Sequence, residues 1–149
     1  MFRKALANVY NLHKLLNVAS AQILVKSSVA NMSGTGSEIA DYDDVVAATK
    51  HKSVYIIDVR EPSEVKDGAI PNSINIPLGD IENALRNISG EDFAKKYGRA
   101  KPTYDSPIIL SCRSGKRAGT ALEIVRRLGF NNLRNYAGSW LDWESKRNE

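Results

Sequence analysis

From Glu38 onward the chain alternates short apolar, β-branched runs with stretches of helical periodicity. Strands separated by helices pair in parallel, because each helix carries the chain back to the starting edge of the sheet. Val54-Tyr55-Ile56-Ile57-Asp58 is a continuous apolar run closed by an acid. Ile108-Ile109-Leu110-Ser111 is another, opened by Pro107 at a position where a strand tolerates proline. Residues 74–76 and 133–136 are shorter candidates. Helical spacing marks residues 42–49, 80–88, 91–97 and, most clearly, 118–128, where Ala121, Leu122, Val125 and Leu128 share a face and Gly129 follows as terminator. A length of 149 residues suits one domain. The expectation is an α/β fold over residues 38–149, with a mostly parallel central sheet flanked by helices.

The chemistry open to this chain is narrow. Its single cysteine, Cys112, excludes an internal disulfide, an intramolecular cysteine relay and any multi-cysteine zinc site. With only His13 and His51 as histidines, no metal and no cofactor is expected. Nucleophilic chemistry rests on Cys112 alone. Charge is unevenly spread: four of the 21 basic residues and none of the 17 acids lie in residues 1–37, so the remainder carries 17 of each. A neutral domain argues against nucleic acid as a partner, and no apolar run is long enough to span a membrane.

The acid-free segment, residues 1–32, contains Arg3, Lys4, Lys14 and Lys26 among Ser, Asn and scattered aliphatics. That is the composition of a mitochondrial transit peptide; a secretory signal needs an apolar centre, which Asn17, Ser20 and Gln22 interrupt. Residues 33–37, Ser-Gly-Thr-Gly-Ser, read as a linker. The expected destination is the mitochondrion, in its matrix.

The strand at 108–111 runs directly into Cys112-Arg113-Ser114-Gly115-Lys116-Arg117, and a helix follows. A loop held between a strand and a helix N-terminus aims successive backbone N–H groups at one point, and Gly115 permits the curvature. The helix dipole and the cations of Arg113, Lys116 and Arg117 favour a thiolate at Cys112, and no acid intervenes before Glu123. A lone cysteine after a strand can equally be a small buried hydrophobe. Strand, cysteine, three cations, glycine and helix in sequence favour a reactive thiolate in an exposed loop.

This hexapeptide resembles the active-site loop of the rhodanese (thiosulfate sulfurtransferase) family. Ile57-Asp58-Val59-Arg60-Glu61-Pro62-Ser63-Glu64 is similar to that family's first signature. Asp67-Gly68-Ala69-Ile70-Pro71-Asn72-Ser73-Ile74-Asn75-Ile76-Pro77 resembles its second, and Ala137-Gly138-Ser139-Trp140-Leu141-Asp142-Trp143 its closing segment. Ala69 stands where many relatives have His, and Ala137 where they have a second Gly. The resemblance spans about residues 38–147 and implies a single rhodanese-like domain.

It also implies a two-step displacement. The Cys112 thiolate would attack the sulfane sulfur of thiosulfate, expelling sulfite and leaving a persulfide. Cyanide or a cellular thiol, such as glutathione or a protein thiol, would then remove that sulfur. Arg113, Ser114, Gly115, Lys116 and Arg117 would hold the small anionic donor. Asp58, Arg60 and Glu61 read as loop-tying rather than catalytic, with Arg60 adding to the positive field. Trp140 and Trp143, three apart, read as core, and His51 as a solvent-facing turn residue. Three competing readings stand beside this one, the last of them disfavoured. A persulfide carrier in a sulfur relay would share the chemistry, and a non-catalytic rhodanese-like module would only bind a partner. A cysteine phosphatase needs its bidentate arginine six residues after the cysteine, where this chain has Ala118.

Overall fold

A computed structural model describes residues 37–148. The expected transit peptide at 1–32, and all of the expected linker but Ser37, lie outside the described residues. In chain order the elements are β1 (Ile39–Ala40), α1 (Tyr42–Thr49), β2 (Tyr55–Asp58), α2 (Pro62–Val65), β3 (Ser73–Asn75), α3 (Ile81–Arg86), α4 (Gly90–Tyr97), β4 (Ile108–Ser111), α5 (Lys116–Arg127), β5 (Leu133–Tyr136) and α6 (Ser139–Lys146). The five strands form one sheet in the order β1-β5-β4-β2-β3, and every neighbouring pair is parallel.

Both faces of this sheet are covered, which is why β2 and β4 read as unbroken apolar runs: every residue in them is buried. Tyr55, Ile57, Ile108, Leu110 and Leu133 join one core with Ile81 and Leu85 of α3, Phe93 of α4 and Ala121, Leu122 and Val125 of α5. Ile56 and Ile109 alternate with these and face the opposite layer. There α1 packs on β2, and the Tyr42 ring lies 5.3 Å from that of Trp143.

Helix 42–49 and strands 108–111 and 133–136 match the sequence expectation. Helix 80–88 is trimmed to 81–86, because Ser89 is used to start α4: its hydroxyl accepts from the Asp92 N–H at 3.1 Å. Val54 is drawn out of β2 by a turn, its N–H donating to the His51 carbonyl. His51 itself is half-buried rather than solvent-facing, since its own N–H closes the end of α1 on Ala48. Trp140 and Trp143 are buried on α6, as their spacing suggests.

The topology locates the site. β2 leads to β3 on one side and β4 leads to β5 on the other, so the connections diverge between adjacent strands β2 and β4. A crevice opens at the carboxyl ends of strands at such a switch point. The segments leaving there are Val59–Glu61 after β2 and Cys112–Gly115 after β4.

Candidate active site

The site is assembled on the end of β4. Ser111 is fully buried and Cys112 is 1% exposed, so the expected exposed thiol is corrected to a buried one. The cause is the loop's own curvature: Gly115 folds back so that its N–H donates to Cys112 Sγ at 3.0 Å. Gly115 has φ +90°, and a Cβ there would lie 2.2 Å from the Ala137 carbonyl oxygen, so glycine is required on two counts.

Beneath the loop lies the start of α6. The Cys112 carbonyl accepts from Trp140 N–H at 2.9 Å and the Arg113 carbonyl from Leu141 N–H at 3.1 Å. The buried Ser139 hydroxyl accepts from Cys112 N–H at 3.0 Å and donates to the Tyr136 carbonyl at 2.7 Å. Its oxygen also lies 3.8 Å from Cys112 Sγ. Ser139 adopts φ +52°. The sequence reading passed it over; the one signal was its place between Gly138 and Trp140. Asn75 was missed too: its amide donates to the carbonyls of Asp58 at 2.9 Å and Arg60 at 2.8 Å, clamping the end of β2.

The three loop cations divide into two kinds. Arg113 and Lys116 are exposed, as is Ser114, and neither cation forms an ion pair among the described residues. Arg117 is not free. Its guanidinium is bidentate on Glu64 of α2, at 2.7 and 2.8 Å. The hydrogen bonds from Arg117 hold the Glu64 carboxyl down at about 2, far below the usual carboxylate range. Arg117, expected to hold the donor, is placed against Glu64, an acid remote in sequence. Lys116 and Arg117 also belong to the first turn of α5 rather than to the loop. Cations there oppose the helix dipole, and Glu64 offsets that for Arg117 while Lys116 has no such relief.

Asp58 and Arg60 form a buried pair, 1% and 2% exposed, with Nη2 to Oδ2 at 2.6 Å. Arg60 also donates to the Gly68 carbonyl at 2.9 Å and lies 4.7 Å from the centre of the Trp140 ring. Fully engaged, it ties β2, the 62–68 turn and α6 together. Glu61 is exposed at the start of α2, its N–H donating to Glu64 Oε2 at 2.9 Å. Asp58 and Arg60 thus hold the segment after β2 in place, and Glu61 opens α2. Among the described residues no group of three or more His, Cys, Asp or Glu is placed to hold a metal. Ala118, where a phosphatase loop would need its arginine, is buried in the core.

Residues 41–146 match the rhodanese-like domain. The chain belongs to the rhodanese family. A Schizosaccharomyces pombe rhodanese, provisionally named a mitochondrial thiosulfate sulfurtransferase, is 41% identical over 89% of this chain and 95% of its own length. The human thiosulfate:glutathione sulfurtransferase is 36% identical over 61% of this chain and 79% of its own. In structure, this rhodanese domain resembles the human single-domain sulfurtransferase TSTD1 with a TM-score of 0.69 at 29% identity, covering 74% of this chain and 98% of that one.

Proposed function

We propose that this rhodanese is a sulfurtransferase that moves the sulfane sulfur of thiosulfate, or of a related persulfide, through a persulfide on Cys112. The observation that carries the reading is Cys112 Sγ, 3.0 Å from the Gly115 N–H at the carboxyl end of β4, with Arg113 and Lys116 exposed in the residues that follow and in no ion pair among the described residues. The Cys112 thiolate forms a bond to the outer sulfur of thiosulfate while the S–S bond of the donor breaks. Sulfite leaves with that electron pair. Arg113 and Lys116 attract the dianion and stabilise the charge that departs with sulfite. The inward-facing loop amide stabilises the anionic sulfur, so no general base is needed. In the second step an acceptor nucleophile attacks the terminal sulfur, and the Cys112 thiolate is regenerated. With no second cysteine in the chain, that acceptor comes from outside. The names of the relatives support thiosulfate as donor and glutathione as one acceptor.

The test is mass analysis of the purified protein. Thiosulfate should add one sulfur atom, cyanide should remove it as thiocyanate, and folded Cys112→Ser should do neither. Substantial turnover by Cys112→Ser would defeat the covalent mechanism.

The basic, acid-free residues 1–32 and the mitochondrial names of relatives support delivery to the mitochondrion, and the matrix is the compartment we propose. A reporter fused behind residues 1–37 should enter the matrix; one that stays in the cytosol would refute this.

A further inference from the structure

We propose that Ser139 is a positioning residue for the Cys112 thiolate, holding the amide of the nucleophile and presenting its hydroxyl proton to the sulfur once that sulfur is charged. The inference rests on the sulfur-transfer reading. It begins from the backbone. Among the described residues only Asn72 and Ser139 are non-glycine residues with clearly positive φ, at +63° and +52°. Asparagine tolerates that region; serine adopts it far less readily. A glycine stands next door, yet Gly138 sits at an ordinary φ of −73°, and the left-handed turn falls on the serine. For the backbone alone, glycine at 139 would be the better residue. What glycine lacks is the hydroxyl.

That hydroxyl has one proton and two lone pairs. One lone pair takes the Cys112 N–H at 3.0 Å, which fixes the backbone from which the thiol projects. The proton goes to the Tyr136 carbonyl at 2.7 Å, with Cys112 Sγ as a second acceptor at 3.8 Å. A neutral thiol is a weak acceptor, so the carbonyl holds the proton. A thiolate is a far stronger one, and rotation about the Ser139 Cβ–Oγ bond turns the proton toward it. No proton leaves the serine. The thiolate then has two donors, the Gly115 N–H at 3.0 Å and the Ser139 O–H, approaching from the loop and from α6. Such an arrangement costs no reorganisation of solvent, because Ser139 is fully buried.

The experiment compares the full chain with Ser139→Ala and Ser139→Gly. Thiolate ultraviolet absorbance is followed as pH rises, with Cys112→Ser as the blank; a single cysteine makes the signal unambiguous. Both variants lose a hydrogen bond to a charged group, so the titration midpoint should rise by about one pH unit and kcat in the thiosulfate–cyanide assay should fall roughly tenfold. KM for thiosulfate should change little, since Ser139 is uncharged and fully buried. Ser139→Gly relieves the left-handed strain and should fold at least as well as Ser139→Ala, which separates lost chemistry from lost structure. Folded variants with an unmoved midpoint and unchanged kcat would overturn the proposal. If the parent chain takes up no sulfur from thiosulfate, the sulfur-transfer reading fails, and the absorbance titration still decides whether Ser139 supports the thiolate.

Discussion

The Glu64–Arg117 pair decides what the second cation of α5 is for. Its two bonds of 2.7 and 2.8 Å join α2 to the helix behind the nucleophile. The Glu64 carboxyl is displaced from 4.5 to about 2 by Arg117, so it favours the folded state when ionised. That stability is fully present above pH 4.5 and is lost as pH falls through about 2. At 1.36 kcal/mol per pH unit the displacement sets a ceiling of about 3 kcal/mol. The side chains are 34% and 30% exposed, and solvent screening at such a pair leaves about 1–2 kcal/mol. Denaturant unfolding of Glu64→Gln, Arg117→Gln and the double variant at pH 7 should show each single losing about that much. The double variant should lose less than the sum, giving a coupling of about 1 kcal/mol. The gap between parent and Glu64→Gln should close as pH is lowered from 4.5 toward 2. Because Arg117 is already engaged, its loss should lower thiosulfate kcat/KM by less than threefold or so, well short of a full charge-assisted contact. Additive singles with no pH dependence would reduce the pair to an idle surface contact. A large kinetic loss in a fully stable Arg117→Gln would return the guanidinium to the donor.

Lys116→Ala should behave in the opposite way. It removes an unpaired cation that opposes the helix dipole, so stability should hold or rise slightly while thiosulfate kcat/KM falls roughly tenfold. That deficit should shrink at high salt; an equal deficit with a singly charged donor would argue against dianion recognition. Gly115→Ala places a methyl 2.2 Å from the Ala137 carbonyl at φ +90°. It should cost about 3 kcal/mol or more and abolish turnover; an unshifted Tm would mean that the loop yields freely.

The sheet was legible because its signals are local: buried strands need no partner to be recognised as apolar runs, and β4, the cysteine loop and α5 are contiguous. α1 and β5 fell on their expected residues for the same reason. β1 was invisible, since two residues carry no periodicity and become a strand only by pairing with β5. The rest of the site depended on closure across the chain. Glu64 meets Arg117 from 53 positions away, and Ser139 meets Cys112 from 27. Nothing local marks either meeting. Counting charges along the loop gave three cations for the donor; folding leaves two of them free. Burial of the thiol was hidden likewise, because it comes from the curl at Gly115 and the underside supplied by α6.

The docking of α6 under the cysteine loop also sets when the loop can be completed. Synthesis is vectorial, and a growing chain carries Cys112 well before it carries Trp140 and Leu141, whose amides hold the loop from below. β1, the first strand made, likewise waits for β5 before it can pair at all. A nascent chain ending at Tyr136 holds every strand of the sheet and the nucleophile itself, but lacks Ser139 and the backbone donors of α6. Its Cys112 loop is without the hydroxyl and the two amides that α6 contributes. The contacts that hold the loop from below are thus completed only when the last helix has been made.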